Sequence, residues 1–217
     1  MPVPAQEISH GLGRDCPDPL MPCETWPGPL MSRAVETSRA TPQPGGRSLD
    51  FALDERGIAV DPPSGDGTCG IVACVRDADG IAHVLADHSV AARSPEGWAG
   101  AAAAAAAAHG TGEIVAEANQ GGKMVKAVLH TADPALRVLL VNARVGKSLR
   151  AESVAHLLEA GKVRLHGRFA ALEAELLGMI AGGGYEGPGN SPDRADAMLW
   201  GINEVIREQH RPRLWVM

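Results

Sequence analysis

The chain has 217 residues, an apolar fraction of 45% and a formal net charge of −6. This length fits one domain plus a tail, and the sequence contains neither an apolar run long enough to span a bilayer nor the pattern of a signal peptide. We therefore expect a cytoplasmic protein that has no membrane partner, with a core of aliphatic side chains because aromatic residues make up only 3%.

The first 47 residues are predicted to form a tail. They contain nine of the sixteen prolines, a density at which no helical or strand periodicity survives. We expect residues 1–47 to be disordered or extended, and residues 48–217 to form the domain. Cys69 and Cys74 lie on one predicted strand at an odd spacing, so they point to opposite faces and are not expected to bridge or to share a metal.

The remaining sequence predicts three strands, a helix, two strand–helix pairs and two final helices. The strands are predicted at residues 58–61, 68–76, 81–87, 114–116 and 137–141. The helices are predicted at residues 94–109, 123–130, 151–160, 168–179 and 193–208. A strand meander followed by β-α-β units gives an α/β fold, with a mixed five-stranded sheet and helices on both faces.

Acidic residues stand where buried strands end. Asp61 follows the first strand, and Glu117 follows the fourth, which is predicted to be its neighbour. Asp193 and Asp196 are three residues apart and therefore face one side of the last helix. Carboxylates that converge from three elements favour divalent cations. We expect these four acids to form a metal site, although each acid taken alone is more often a turn or helix-capping residue.

Positive charge is concentrated in residues 123–168, which contain nine Lys or Arg and three Asp or Glu, a local excess of six positive charges. Such a region can bind phosphates while the whole chain stays acidic, and a solvated charged face is the alternative. Gly146-Lys147-Ser148 is similar to the end of a P-loop, but Val141 stands where that motif needs glycine. The candidate DNA contacts are Lys123, Arg144, Lys147 and Arg150.

Five segments together resemble the C-terminal nuclease domain of phage terminase large subunits, in the variant found in prophages and gene transfer agents. They are VDPP at 60–63, VLADHS at 84–89, SPEGW at 94–98, AEANQGG at 116–122 and SPDRADA at 191–197. The resemblance spans about residues 56–208. It implies a ribonuclease H-like fold, related to Holliday-junction resolvases, and cleavage of double-stranded DNA with two Mg²⁺ or Mn²⁺ ions during genome packaging.

The resemblance also implies roles for single residues. Asp61 is expected to bridge the two metals, Glu117 and Asp196 to be the further catalytic ligands, and Asp193 to be an accessory ligand. Lys147 falls where the family keeps a basic residue near the DNA.

The partners implied are double-stranded DNA, a separate packaging ATPase, the small terminase subunit and the portal, in the cytoplasm of a bacterial host. A separate ATPase is expected because only sixty residues precede Asp61 and they hold no P-loop. A non-catalytic DNA-binding or packaging module and a junction resolvase stay open as alternative functions.

Overall fold

The computed structural model describes residues 31, 34, 35, 38, 56–63, 65, 67–92, 94–119, 121–142, 146–180 and 182–207. Within these ranges the strands are β1 (Arg56–Asp61), β2 (Gly67–Arg76), β3 (Ala82–Asp87), β4 (Val90–Ala92), β5 (Glu113–Glu117), β6 (Arg137–Val141) and β7 (Val163–Leu165). The helices are α1 (Pro95–Ala108), α2 (Gly122–Ala132), α3 (Lys147–Glu159), α4 (Ala170–Leu177) and α5 (Asp193–Arg207). None of these helices is long and apolar enough to cross a membrane.

The seven strands form one mixed sheet in the order β6-β5-β1-β2-β3-β7, with β4 paired to β2. β1 runs antiparallel to β2 but parallel to β5, so β1 and β5 end at the same edge of the sheet. The predicted α/β class and mixed sheet are confirmed. The predicted number of five strands is wrong, because β4 and β7 have three residues each, too few for an alternating pattern to be visible in the sequence.

Two cores lie on the two faces of the sheet, as the prediction of helices on both faces requires. One core is formed with α1 and α2 and includes Ile58 and Val60 of β1. The other is formed with α3, α4 and α5. Successive side chains of a strand alternate between these faces, and Cys69 and Cys74 accordingly lie buried in different cores as free thiols.

Helix α1 begins as the sequence predicts. The Ser94 hydroxyl accepts a hydrogen bond from the Gly97 amide at 3.1 Å, and Pro95 is the first helical residue. The helix then runs through the eight alanines, of which Ala102, Ala105 and Ala106 are buried. Such small side chains let this part of α1 lie close to the sheet, while Trp98 of its first turn is buried in the same core.

Part of the predicted tail belongs to the core. Met31, Ala34 and Val35 are buried among side chains of the core formed with α3, α4 and α5. Ala34, Val35 and Ser38 have helical backbone conformation, so the expectation that no helical structure survives the proline-rich composition is wrong there. Cys16, Cys23 and the other residues of the predicted tail lie outside the described residues, and the boundary at residue 47 stays a prediction.

Two glycines let α5 lie directly on the sheet. A Cβ atom on Gly70 would stand 2.0 Å from the Asp193 carbonyl oxygen. A Cβ atom on Gly201 would stand 2.7 Å from the Cys74 sulfur and 3.0 Å from the Ala59 Cβ. Both distances are shorter than van der Waals contact, so any larger residue would push α5 away from β1 and β2.

Candidate metal centre

Asp61 and Glu117 lie side by side on the two parallel strands at the centre of the sheet. Val60 pairs with Ala116 in the register of β1 and β5, and the two acids are the next residue of each strand. Val60 and Ala116 both point into the core of α1 and α2. Because side chains alternate along a strand, Asp61 and Glu117 point to the opposite face, where α5 packs.

The first turn of α5 supplies the other two acids. The Asp196 amide donates to the Pro192 carbonyl at 2.8 Å, so this turn is helical from its first residues. The close approach of Gly70 of β2 to the backbone of Asp193 holds the turn beside Asp61, which pairs with Gly70. Asp61 and Asp196 are 8% and 6% exposed, a burial that is rare for carboxylates without compensation.

The environment of Asp61 disfavours its charged form. Burial is the main cause that raises its pKa well above the usual value, followed by a side-chain hydrogen bond with Glu117 and by the negative charges of Asp196, Glu117 and Asp193. The Asn119 side-chain amide donates a hydrogen bond to Glu117 and thereby orients it.

The chemistry of these side chains fits a divalent cation, although their present arrangement does not enclose one. Within the described ranges, no three His, Cys, Asp or Glu side chains are gathered so that they could hold an ion. Hard carboxylate oxygens that repel one another are ligands that Mg²⁺ and Mn²⁺ favour. The ligand set of Asp61, Glu117, Asp193 and Asp196 stays a prediction.

Further ionisable side chains beside this acidic group were not singled out from the sequence. Burial raises the pKa of Glu175 to about 7, against the opposing effect of hydrogen bonds from the amides of Ala195 and Arg194. Burial also raises the pKa of Tyr185 to about 12, and the charges of Glu175, Asp193 and Asp196 add to that effect. The sequence offers no signal for Glu175, because it lies on a different helix from the residues that it contacts.

The predicted DNA contacts have different positions. Lys123 is exposed in the first turn of α2, which follows the Glu117 loop. Arg144 and the side chain of Lys147 lie outside the described residues. Arg150 was also expected to contact DNA, but it is only 8% exposed. Its guanidinium carbon lies 4.2 Å from the centre of the Trp200 ring. This cation–π contact places the charge over Trp200, one turn beyond Asp196 on α5.

The basic residues of the 123–168 segment do not form one surface. Arg137 begins β6, is 80% exposed and pairs with Glu113 at 2.8 Å. Arg164 belongs to β7, and β6 and β7 are the two opposite ends of the strand order. These two charges are therefore separated by the width of the sheet. The choice between a phosphate-binding surface and a solvated face stays open.

Comparisons with known proteins give one family and a group of similar folds. A family model described as the terminase RNase H-like domain matches residues 58–205. The nuclease domain of the phage P22 large terminase is 13% identical, over 85% of this chain and 98% of its own, with a TM-score of 0.63. No curated protein sequence matches.

Two similar structures carry a metal ion. The nuclease domain of the large terminase subunit of bacterial virus Sf6, with manganese, is 14% identical over 80% of this chain and 97% of its own, with a TM-score of 0.61. The large terminase nuclease of thermophilic phage G20c, with magnesium, is 16% identical over 82% and 98%, with a TM-score of 0.59. At these identities the similarity shows the fold, and the expected ribonuclease H-like fold is confirmed.

Proposed function

Because the chain belongs to the family of terminase RNase H-like domains, we propose that it is a metal-dependent endonuclease that cuts double-stranded DNA during genome packaging. The observation that carries this proposal is the contact of buried Asp61 with Glu117, beside Asp193 and Asp196. Manganese and magnesium in the similar nucleases of Sf6 and G20c support the same choice of cofactor.

We assign the two Mg²⁺ or Mn²⁺ ions to Asp61, Glu117 and Asp196, with Asp193 as an accessory ligand. When bound, such ions lower the pKa of a water molecule and stabilise the charge that develops on the phosphate. Three elements of the chain position these proposed ligands. β1 and β5 carry Asp61 and Glu117 at adjacent strand ends, and α5, which packs against β2, carries Asp196. Burial of Asp61 keeps bulk water from screening these charges.

DNA binding is proposed to depend on phosphate contacts. Lys123 is exposed at the start of α2, where the helix N-terminus also favours a phosphate. Arg144 and Lys147 remain proposed contacts, whereas Arg150 is assigned to packing against Trp200. Because phosphate contacts carry little sequence information, we expect weak sequence preference. The proposed partners are a separate packaging ATPase, the small terminase subunit and the portal.

A plasmid cleavage assay tests the proposal. With Mn²⁺ the protein should nick or linearise supercoiled plasmid, and EDTA should abolish the reaction until Mn²⁺ is restored in excess. Asp61→Ala and Glu117→Gln should each lower the rate by about 10²–10³-fold, because each removes a proposed ligand of the ions that stabilise the charge on the phosphate. Glu113→Gln is the matched control, because Glu113 starts the same strand at its opposite end and should leave the rate unchanged.

Three outcomes would contradict the proposal. Metal-independent cleavage, or full activity in Asp61→Ala, would remove the metal site from the mechanism. DNA binding without cleavage across several divalent metals would instead identify a non-catalytic DNA-binding module. Branched DNA cut far faster than linear duplex would identify a junction resolvase.

A further inference from the structure

The first turn of α5 is connected to two other elements through Arg194, which lies between Asp193 and Asp196. Its Nη1 atom lies 2.9 Å from Asp87 Oδ2 at the end of β3, and its Nε atom lies 3.4 Å from Glu175 Oε1 on α4. The side chains of Asp87 and Glu175 are 10% and 8% exposed. One guanidinium therefore holds two buried carboxylates that come from different elements.

Glu175 also caps the helix that carries the acids. Its Oε2 atom accepts hydrogen bonds from the backbone amides of Arg194 at 2.8 Å and Ala195 at 3.1 Å. The first amides of a helix have no partner within the helix, and a negative charge at that end is favourable. A residue of α4 thus fixes where α5 begins.

Asp87 is itself held in one orientation. Its Oδ1 atom accepts a hydrogen bond from the Ser89 amide at 3.0 Å, which leaves Oδ2 for Arg194. The Ser89 hydroxyl in turn accepts a hydrogen bond from the Ile71 amide of β2 at 2.9 Å. Asp87, which binds Arg194, is therefore connected through Ser89 to β2. The connection meets β2 at Ile71, the residue next to Gly70, and the Asp193 backbone packs against Gly70.

We propose that Arg194, Glu175 and Asp87 form a positioning network that holds Asp193 and Asp196 against Asp61 so that they can share cations. The inference rests on the proposed metal function. The network opposes a specific force, because the charges of Asp193 and Asp196 repel Asp61. It also pairs two buried carboxylates with one guanidinium, which offsets part of their negative charge beside the metal ligands.

The network should set metal affinity more than turnover. Arg194→Ala should weaken Mn²⁺ binding by about 10–100-fold, the effect typical of residues that orient metal ligands. Titration of Mn²⁺ followed by electron paramagnetic resonance measures this without DNA. In the cleavage assay the half-saturating Mn²⁺ concentration should rise by the same factor. The rate at saturating Mn²⁺ should fall much less, because the ligands themselves are intact.

Three further variants separate the contacts. Glu175→Gln keeps an oxygen that can cap the helix but loses the ion pair, and Asp87→Asn loses the other ion pair. Arg194→Lys keeps the charge but cannot hold both carboxylates in a planar fork. We expect each to weaken Mn²⁺ binding less than Arg194→Ala. Arg137→Ala is the matched control, because it breaks an exposed ion pair at the edge of the sheet and should leave Mn²⁺ affinity unchanged.

Hydrogen exchange in the metal-free protein separates this inference from the proposed function. The amides of residues 193–197 should exchange faster in Arg194→Ala than in the wild type, while those of β1 and β5 should not. Unchanged exchange at residues 193–197 in Arg194→Ala would overturn the inference. If the wild type binds Mn²⁺, an unchanged Mn²⁺ affinity in Arg194→Ala would overturn it as well. Failure of the wild type to bind Mn²⁺ would count against the proposed function, and the exchange result would still decide the network.

Discussion

At Asp61, burial and the neighbouring negative charges act in the same direction on the carboxyl group. The residue is 8% exposed and is hydrogen-bonded to Glu117, with Asp193 and Asp196 nearby. Burial and these neighbours raise the pKa of the carboxyl group, so its ionised form destabilises the folded protein. Such local instability is common where a site is shaped for a ligand, and a bound cation removes it.

Asp61→Asn should therefore raise the stability of the metal-free protein by about 1 kcal/mol, because it removes a buried charge from a repulsive group. Thermal unfolding at neutral pH in EDTA measures the change. Added Mn²⁺ should raise the melting temperature of the wild type but not that of Asp61→Asn. Asp79→Asn, at an exposed position of the β2–β3 turn, is the control and should behave like the wild type. A less stable Asp61→Asn protein in EDTA would contradict this account.

Helix α5 depends on small residues for its position. Gly201 faces Ala59 and Cys74, and a Cβ atom there would stand 3.0 Å and 2.7 Å from their side chains. Glycine normally weakens a helix interior, so its presence in the middle of α5 has a cost that the close packing offsets. Gly100 in the middle of α1 has no such neighbour, since no atom lies within 4 Å of a Cβ built there.

The two glycines predict opposite effects of the same substitution. Gly201→Ala should destabilise the protein by about 1–3 kcal/mol, because the added methyl group must displace α5 from the sheet. Gly100→Ala should stabilise it by about 0.5–1 kcal/mol through helix propensity. Urea unfolding of both variants measures the difference. Equal effects of the two substitutions would show that the packing of α5 against β1 and β2 is looser than described.

At the scale of the whole molecule, polar groups lie at both ends of the strands of the sheet. At the edge opposite Asp61, the buried His83 lies 2.8 Å from Asp77 through Nε2 and 2.6 Å from His166 through Nδ1. These contacts connect the β2–β3 turn to the end of β7. Burial alone would raise the pKa of Asp77, but hydrogen bonds from His83 and Ile81 lower it overall. Burial, with the charges of His83 and Arg164, lowers the pKa of His166.

Both shifts make the folded protein less stable in acid. A histidine whose folded pKa is lowered stabilises the fold while it is neutral, and this contribution is lost as the pH falls below the usual histidine pKa of 6.5. The contribution of Asp77 is lost later, as the pH falls below 3.8.

His166 should therefore contribute a decline in stability between pH 7 and pH 5, so that the stability of His166→Gln should fall less, or rise more, over this range than that of the wild type. Urea unfolding of the wild type and of His166→Gln at several pH values measures this difference. An equal pH dependence in His166→Gln would contradict the assignment of this decline to His166.

Local sequence rules located most of the elements and the acids at their ends. The ends of β1 and β5, and the spacing of Asp193 and Asp196 on one helical face, follow from side-chain periodicity, which the sequence itself determines. The positions of four acids at the ends of three elements were therefore predictable. Strands β4 and β7 were not, because three residues carry too little pattern.

Only the tertiary structure decided which side chains meet. Arg150 packs over Trp200, Glu175 caps a helix that begins eighteen positions later at Asp193, and the basic residues of one segment separate to opposite edges. These contacts depend on strand order and on how closely α5 docks, which are set by packing between distant parts of the chain. The sequence determined the acids and the elements that carry them, whereas the docking of those elements decided which side chains surround the acids.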